Sequence, residues 1–590
     1  MGSKGIYISR IQRRMFFLSF VTAFAAVFTQ TLAVLIDNVI VCTFYGETEI
    51  AAVALAGPFF YLLEIPAAGL AMGIQTVCAR DLGAGRIDKV SRQFNQIFFF
   101  SAAVLAVLTV LVFLTVPQLA FLFGARGNTA ALRPYATQYL YGLAFEILPY
   151  VLFCLATPVV ILDNGGRLIT IASVCGCLTD IVLDLLSVRF GWGLFGIGIA
   201  SSASAVVYFL IAMLHFLSRD RVIHLSIVRT CISDLREIFV SSAPKALRSL
   251  ADALRAVLFL SLISATGGMI GTFVLTIHDT VSYMLLIVSQ GIAGAVGIMA
   301  GICHGEKNGE ELEGVGALAD RYNVVVSVCV IAVLTAGARP LASLLAESAE
   351  SAELLAFAVI CIAASAPFTI WVNVRISYLQ AVGHVRKAQW MGIAADLILL
   401  VIAACLLAVP FGVRGVFLAF PVSKAGAMAV SWAIHAWRAK KALPSRSDFL
   451  EVEESFFTGP GDVISYPVRD KEDCALASQQ VMLFCRGHGL DEEKGFLAGL
   501  CVEELTVNAV EHGGGRGQAD AASDLRVLID GEDVIIRLRS FGPAFNLRQF
   551  ADRLEERGPG TGPGVRILLD AAKDVSYYRT YGANTTIIRV

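Results

Sequence analysis

Two sets of residues in this chain have the types and spacing to do chemistry. The first is Asp180 and Asp184, set in the apolar stretch TDIVLD. Four residues apart on a helix, they project from one face. A charge at the centre of a membrane-spanning helix costs about 2.5–3.5 kcal/mol on insertion scales and usually has a functional reason. Two carboxylates so close in a low dielectric do not readily both ionise, so one is expected to hold a proton at neutral pH. That is the physics a proton-coupled site requires. Asp37, Glu64, Glu146, Asp252, Asp279 and Asp396 also fall in or near apolar stretches. The second set is Glu504, Asn508 and His512, within CVEELTVNAVEHGGG at 501–515. Their four-residue spacing puts all three on one helix face. An acid there can polarise water, and a side-chain amide can hold Mg²⁺ against phosphates. Taken alone, such a face is as readily a solvated polar surface.

The elements that must position these two sets are unlike. The chain has 590 residues, 56% hydrophobic and 16% charged, with a net charge of −2. Soluble domains carry roughly 25% charged residues, and the deficit lies before residue 440. Twelve apolar stretches there are long enough for about 30 Å of hydrocarbon. Spans are expected near 15–36, 50–78, 94–116, 135–161, 168–188, 193–217, 238–264, 270–302, 320–341, 352–379, 388–408 and 413–437. Basic residues then fall on alternate loops, among them Arg13, Arg14, Arg86, Lys89, Arg167, Arg221, Arg386, Lys387 and Lys440. The bias predicts that both termini are cytoplasmic. The basic start MGSKGIYISRIQRRMFF runs into an apolar helix without a small-residue cleavage pattern, so it reads as a retained span. Thirteen scattered cysteines show no zinc or disulfide spacing and read as small buried hydrophobes. The charge balance gives no reason to expect a nucleic-acid partner.

The apolar part also repeats. MGIQTVCARDLGAGR at 72–86 is similar to VGIMAGICHGEKNGE at 296–310. ILDNGGRLITIASV at 161–174 is similar to YLQAVGHVRKAQWM at 378–391, and LFGIGIASSAS at 194–204 pairs with VRGVFLAFPVS at 413–423. Six spans duplicated into twelve predict two six-helix lobes with a site between or inside them, as in a secondary transporter. The expected organisation is an N-terminal segment 1–14, a first lobe 15–217, an inter-lobe loop 218–237, a second lobe 238–437, a linker 438–460 and a soluble α/β domain 461–590. In that domain strands are predicted near 463–468, 524–530, 533–540, 574–580 and 585–590. Helices are predicted near 471–487, 491–512, 546–556 and 564–572.

LIDNVIVCTFYGETEIAAVALAGPF, GLAMGIQTVCARDLGAGR, TDIVLD and GIGIASS, in that order, resemble the multidrug and toxic compound extrusion (MATE) transporters. The resemblance covers about residues 15–437. It implies a polar cation-exchange cluster in the first lobe. Asp37 matches the first-span Asp and Asp184 the fifth-span Asp. Asp180 stands where the family usually has Asn, and Ser201 where it has Thr. The added carboxylate leaves the coupling ion open between H⁺ and Na⁺. Asp252, eight residues after Pro244, falls roughly where some members carry a seventh-span acid.

The spacing E-x-x-x-N-x-x-x-H-G resembles the N box of the GHKL ATPases, and most closely that of the anti-sigma-factor serine kinases. SFGPAFN at 540–546 and GPGTGPGVRILLDAAKDVSYYRTYGANTTIIRV at 558–590 occupy the places of the later glycine motifs. The resemblance implies a two-layer α/β sandwich of Bergerat type that binds ATP and Mg²⁺. Glu504 would be the catalytic acid. Asn508 (also toward Mg²⁺), His512, Ser540, Gly542, Gly560, Gly562 and Gly564 would be nucleotide contacts. Ser540 departs from the Asp that usually contacts the adenine amino group. No Walker-type loop is present, so an ABC-type pump is not expected.

The expectation is a polytopic exporter in the plasma membrane of a bacterium, driven by H⁺ or Na⁺. It would move amphipathic organic compounds and be regulated by its cytosolic domain. Two alternatives stay open: a membrane sensor whose C-terminal domain phosphorylates a serine on a protein partner, and a lipid or lipid-linked sugar flippase. Partners expected are the bilayer, a small organic substrate, a protein partner of the soluble domain, and a second copy of the chain through that domain.

Overall fold

The structure is a computed structural model. It describes residues 9–45, 49, 52–53, 56–123, 132–218, 223–226, 232–346, 348–442, 445, 447–452, 462–512, 523–544, 568–569 and 572–590. The first part of the chain is all helix: α1 (Arg10–Phe44), α2 (Gly57–Gly83), α3 (Ile87–Leu122), α4 (Arg133–Leu143), α5 (Ile147–Leu162), α6 (Gly166–Phe190) and α7 (Gly193–Met213). Then come α8 (Ile232–Gly305), α9 (Gly309–Leu345), α10 (Ala349–Ala381), α11 (Val385–Ile393) and α12 (Leu399–Ala439). Local signals set their ends. Ser9 caps α1 by accepting a hydrogen bond from Gln12 N. A Ser348–Ser351 capping box opens α10, and Gly191 closes α6 in the left-handed region at φ 68°. Among the described residues nine helices are long and apolar enough to cross a membrane.

Two of the long runs are not single rods. At 1.5 Å per residue, the 74 residues of α8 would extend about 110 Å, several membrane thicknesses. The run instead reverses on itself. Ile263 O lies 3.2 Å from where a Cβ on Gly271 would be, and both Ser242 and Ile302 touch α2. In α12, Gly412 leaves the helical region at φ 57°, ψ −139°. These breaks fall where the sequence places loops, between 264 and 270 and between 408 and 413. The span expected at 135–161 is interrupted by a 3₁₀ turn, Ala144–Glu146, between α4 and α5. The halves of the sequence meet where α2 lies against α8. Gly73, Gly83, Gly301 and Gly305 stand at this seam, and a methyl group at any of them would overlap the facing helix. Small residues let helix backbones approach this closely.

The C-terminal domain is a five-stranded antiparallel sheet with two described helices. The strands are β1 (Val463–Val468), β2 (Ser523–Asp530), β3 (Asp533–Phe541), β4 (Asp574–Thr580) and β5 (Ala583–Arg589), in the order β1-β2-β3-β5-β4. Helices α13 (Lys471–Gly487) and α14 (Glu492–His512) cover one face. Val481, Val502, Leu525, Val527, Ile536, Leu538 and Ile588 form the core between them. The helices expected near 546–556 and 564–572 lie outside the described residues, apart from Leu568, Leu569 and Ala572.

The other face of the sheet is not solvated. Alternation along β3 turns Ile536 and Leu538 toward the helices and Arg537 and Arg539 away from them. Both arginines are buried, 4% and 3% exposed, because that face lies on turns of the helical part. Ser576 donates to Gly85 O, after α2. Thr580 donates to Leu162 O, and Gly582 N donates to Asn164 Oδ1, after α5. Arg526 donates to Asn308 Oδ1, and Arg537 and Arg539 pair with Glu306 and Glu311, around the turn between α8 and α9. Residues 447–452, within the stretch read as linker, pack onto the second half. Leu450 is 5% exposed. Glu451 pairs with Arg375 at 2.7 Å, with His435 at 2.8 Å and with Lys387.

Candidate functional site

The acids singled out by spacing meet in the first half of the chain. Asp180 and Asp184, on α6, are buried at 3% and 0% exposure. Their carboxyls face that of Asp37, on α1, within hydrogen-bonding range. Asp37 Oδ1, Asp180 Oδ1 and both carboxyl oxygens of Asp184 have no donor among the described residues. Glu146, in the turn between α4 and α5, adds a fourth acid next to Asp180, and its Oε2 is likewise without a partner among the described residues. Four carboxyls with bare oxygens in a buried site are stable only when protons or a cation lie among them.

The hydroxyl beside Asp180 is that of Ser204, on α7. Ser201 Oγ instead donates to Ile197 O at 3.4 Å, so no described bond ties Ser201 to the carboxyls. Asp252 is also apart from them. It pairs with Arg255 at 3.6 Å and shares its surroundings with Glu64 and Lys245. Sequence reasoning missed Tyr139, on α4, which is 3% exposed and close to all four acids. Its one signal is a seven-residue spacing from Glu146, about two helical turns.

In the C-terminal domain Glu504 and Asn508 lie one turn apart on α14, both half-buried. Asn508 Nδ2 is buried and has no partner among the described residues. An amide turned end for end would put its oxygen there, so this side chain fits a phosphate-bound Mg²⁺. His512 ends α14, and its side chain lies outside the described residues, as do Gly560, Gly562 and Gly564. Ser540 faces Asn584 across the β3–β5 ladder. The start of the middle glycine motif is pinned: Arg579 donates to Gly542 O at 2.7 Å, and Asn584 to Pro543 O at 2.8 Å. Among the described residues no group of three His, Cys, Asp or Glu is arranged to hold a metal.

Two groups outside the helical part have shifted acidities, Asp524 where the sheet meets the helices and Glu451 in the linker. Burial and the neighbouring Glu311 carboxylate push Asp524 up to about 6, although Arg537 and Arg539 pull the other way. Burial alone would raise Glu451 too. Hydrogen bonds from His435 and Lys387, with the Arg375 charge, outweigh it and hold this carboxyl below the usual carboxylate range.

Comparison with known proteins divides the chain in the same way. The MatE family model matches residues 23–186, and the model for the histidine kinase-like ATPase domain matches residues 468–590. Among solved structures, the chain is similar to an outward-facing multidrug resistance MATE family transporter of the MOP superfamily. The identity is 22%, the TM-score 0.68, and the match covers 75% of this chain and 99% of that one. A MATE crystallised in complex with MaL6 matches at 22% identity and TM-score 0.67, over 72% of this chain and 96% of that one. A variant of the Vibrio cholerae MATE transporter VcmN matches at 16% identity and TM-score 0.67, over 75% and 98%. No curated protein matches the chain.

Proposed function

We propose that this chain, a MATE-fold membrane domain joined to a histidine kinase-like ATPase domain, is a proton-coupled exporter of organic compounds gated from the cytoplasm. One observation carries the coupling: the carboxyls of Asp37, Asp180 and Asp184 face each other with oxygens that no donor among the described residues meets. A proton taken up from outside relieves their repulsion, and its release inward restores it. Two conformations of the lobes thus differ in proton affinity, which is what exchange requires. Asp184→Asn should abolish dye efflux driven by a proton gradient from proteoliposomes. Undiminished coupled efflux would sink this site, and dependence on Na⁺ alone would replace the ion.

The gating reading rests on where the last 150 or so residues touch the membrane domain. Turns after α2, α5, α8 and α10 are each engaged by a residue beyond α12: Ser576, Thr580, Arg537 and Glu451. Those turns come from both repeats, and in this reading they lie in the cytoplasm, where the basic loops place them. A rigid sheet bridging the first three, with the linker on the fourth, opposes separation of the halves on that side. Nucleotide between α14 and the sheet would change the cost of that separation, with Asn508 toward Mg²⁺ and Glu504 toward a water. The plasma membrane of a bacterium, with both termini inside, is the setting this reading assumes.

A further inference from the structure

A second polar site lies in the other half of the membrane domain, and its charge is of the opposite sign. Asp396 sits on a π-helical turn, Ala394–Ile398, between α11 and α12. Such turns recur at functional positions in helices. Its carboxyl is held between Arg248 Nε at 2.6 Å and Lys424 Nζ. One acid thus faces two cations. Arg248 also donates to Asn373 Oδ1 at 2.5 Å, and Asn373 Nδ2 donates to Ser289 at 2.7 Å, so the guanidinium is fixed in place.

Beside this cluster is a cavity of about 20 Å³, lined by Met72, Lys245, Arg248, Gln290 and Gln380 among others. It has room for about one water-sized group. Two of its donors are unused. Gln380 is 1% exposed, and its Nε2 has no hydrogen-bond partner. Lys245 is half-buried and makes no ion pair or hydrogen bond among the described residues. Glu64 and Asp252 share its surroundings, and Asp252 is already paired with Arg255. A buried donor without an acceptor costs about 1–3 kcal/mol. The site asks for an acceptor atom, and its surplus of cations asks for a negative one.

We propose that this cavity between α2, α8 and α10 binds the anionic group, a carboxylate or phosphate, of the exported compound. The wall at Met72 belongs to the seam between the halves, so the body of the ligand enters there when the seam opens. With the seam packed as it is, the cavity takes only one water-sized group, so the charged head too is seated as the seam opens. The assignment rests on the transporter reading and names the substrate class for it. A proton site in one half and an anion site in the other give the exchanged species separate seats.

The test is a binding titration of the full-length protein in nanodiscs with decyl phosphate, decanoate and decyltrimethylammonium, three probes with ten-carbon chains. The anions should bind at least about tenfold more tightly than the cation, and Lys245→Gln should remove about tenfold of that difference, the scale of one charged hydrogen bond. Gln380→Leu, which leaves every charge in place, should weaken the anions alone. Tighter binding of the ammonium probe overturns the proposal. So does anion binding unchanged in both variants, each shown to be folded by its melting curve. Displacement of decyl phosphate by phosphatidic acid would assign the anion to a lipid headgroup. Displacement by decanoate only would assign it to a free acid. Asp184→Asn should keep anion binding. Coupled export surviving in that variant would sink the coupling site and leave this one standing.

Discussion

In the proposed function, Ser540 sets how well the soluble domain holds a nucleotide. A carboxylate accepting from the adenine amino group is a charged hydrogen bond, worth about 1.5–3 kcal/mol, and a shorter neutral side chain forgoes it. Ser540→Asp should therefore tighten ATP binding by about tenfold to a hundredfold in calorimetry of the intact chain. Asn508→Ala should abolish binding, because its buried amide has no other described role. Equal ATP affinity in wild type, Ser540→Asp and Asn508→Ala would show that nucleotide does not use this face. At this scale the sequence is legible where a periodicity carries the information. Asp180 and Asp184 were readable from their i, i+4 spacing, and α6 brings both to Asp37. Tyr139 and Ser204 were not, since a tyrosine or serine in an apolar helix has no marked partner until the helices pack. Arg537 and Arg539 were illegible for a different reason. Alternation puts them on the face opposite the core, which in an isolated sheet is the wet face, and nothing in β3 says that other turns cover it.

Helices lie close at the seam between the halves because glycines line it. A Cβ on Gly305 would run into the backbone of Arg80 and Ala84 at the end of α2, and one on Gly83 into that of Ile302. Overpacking of this kind typically costs about 1–3 kcal/mol. The cost falls on the conformation in which these ends touch, so Gly305→Ala should shift the population toward one with the seam open. Spin labels on the turns after α2 and α8 should then show a longer-distance component, and hydrogen exchange there should quicken. An unchanged distance distribution would mean that the seam does not open at these ends. Element boundaries were readable in the soluble domain, whereas α1 and α3 run five to eight residues past the expected spans. β1, α13 and β4 coincide with their predicted limits, and the duplicated stretches 72–86 and 296–310 end at the turns that touch the sheet. The long runs were harder to divide, because an apolar helix and its neighbour are alike to a hydropathy scale. Among the described residues, Gly412 and the reversal near 263–271 separate them.

Across the whole molecule, the sheet is held to the membrane domain by a cluster of buried charges. Arg537 and Arg539 face Glu306, Glu311 and Asp524, with Arg526 alongside on Asn308. Removing one partner from a buried network costs about 3–5 kcal/mol, largely because the acids left behind are uncompensated. Arg537→Ala should therefore undock the domain. Amides of the turn 305–311 should exchange faster, and coupled efflux should rise if docking restrains the halves. The same cluster makes docking depend on pH. Asp524 sits at about 6 when docked, above its ordinary value of about 3.9. A group whose pKa is raised in this way favours the docked state most fully below its free value, and the benefit is lost as pH rises through 6. Glu451 works in the opposite sense in another window. Its lowered value favours the packed linker above about pH 4.5, and that support fades only on stronger acidification. Between pH 5 and 7 the Asp524 effect governs, so acidifying the cytoplasmic side should tighten docking and slow exchange in the turn. Asp524→Asn fixes the uncharged form. It should dock as the acidified protein does and lose the pH response over that range. An Asp524→Asn chain that still loosens between pH 5 and 7 would assign the response to some other group. A proton-coupled exporter gated this way would be throttled by the protons it brings in, a feedback that needs no nucleotide and can be measured with the ATP site empty.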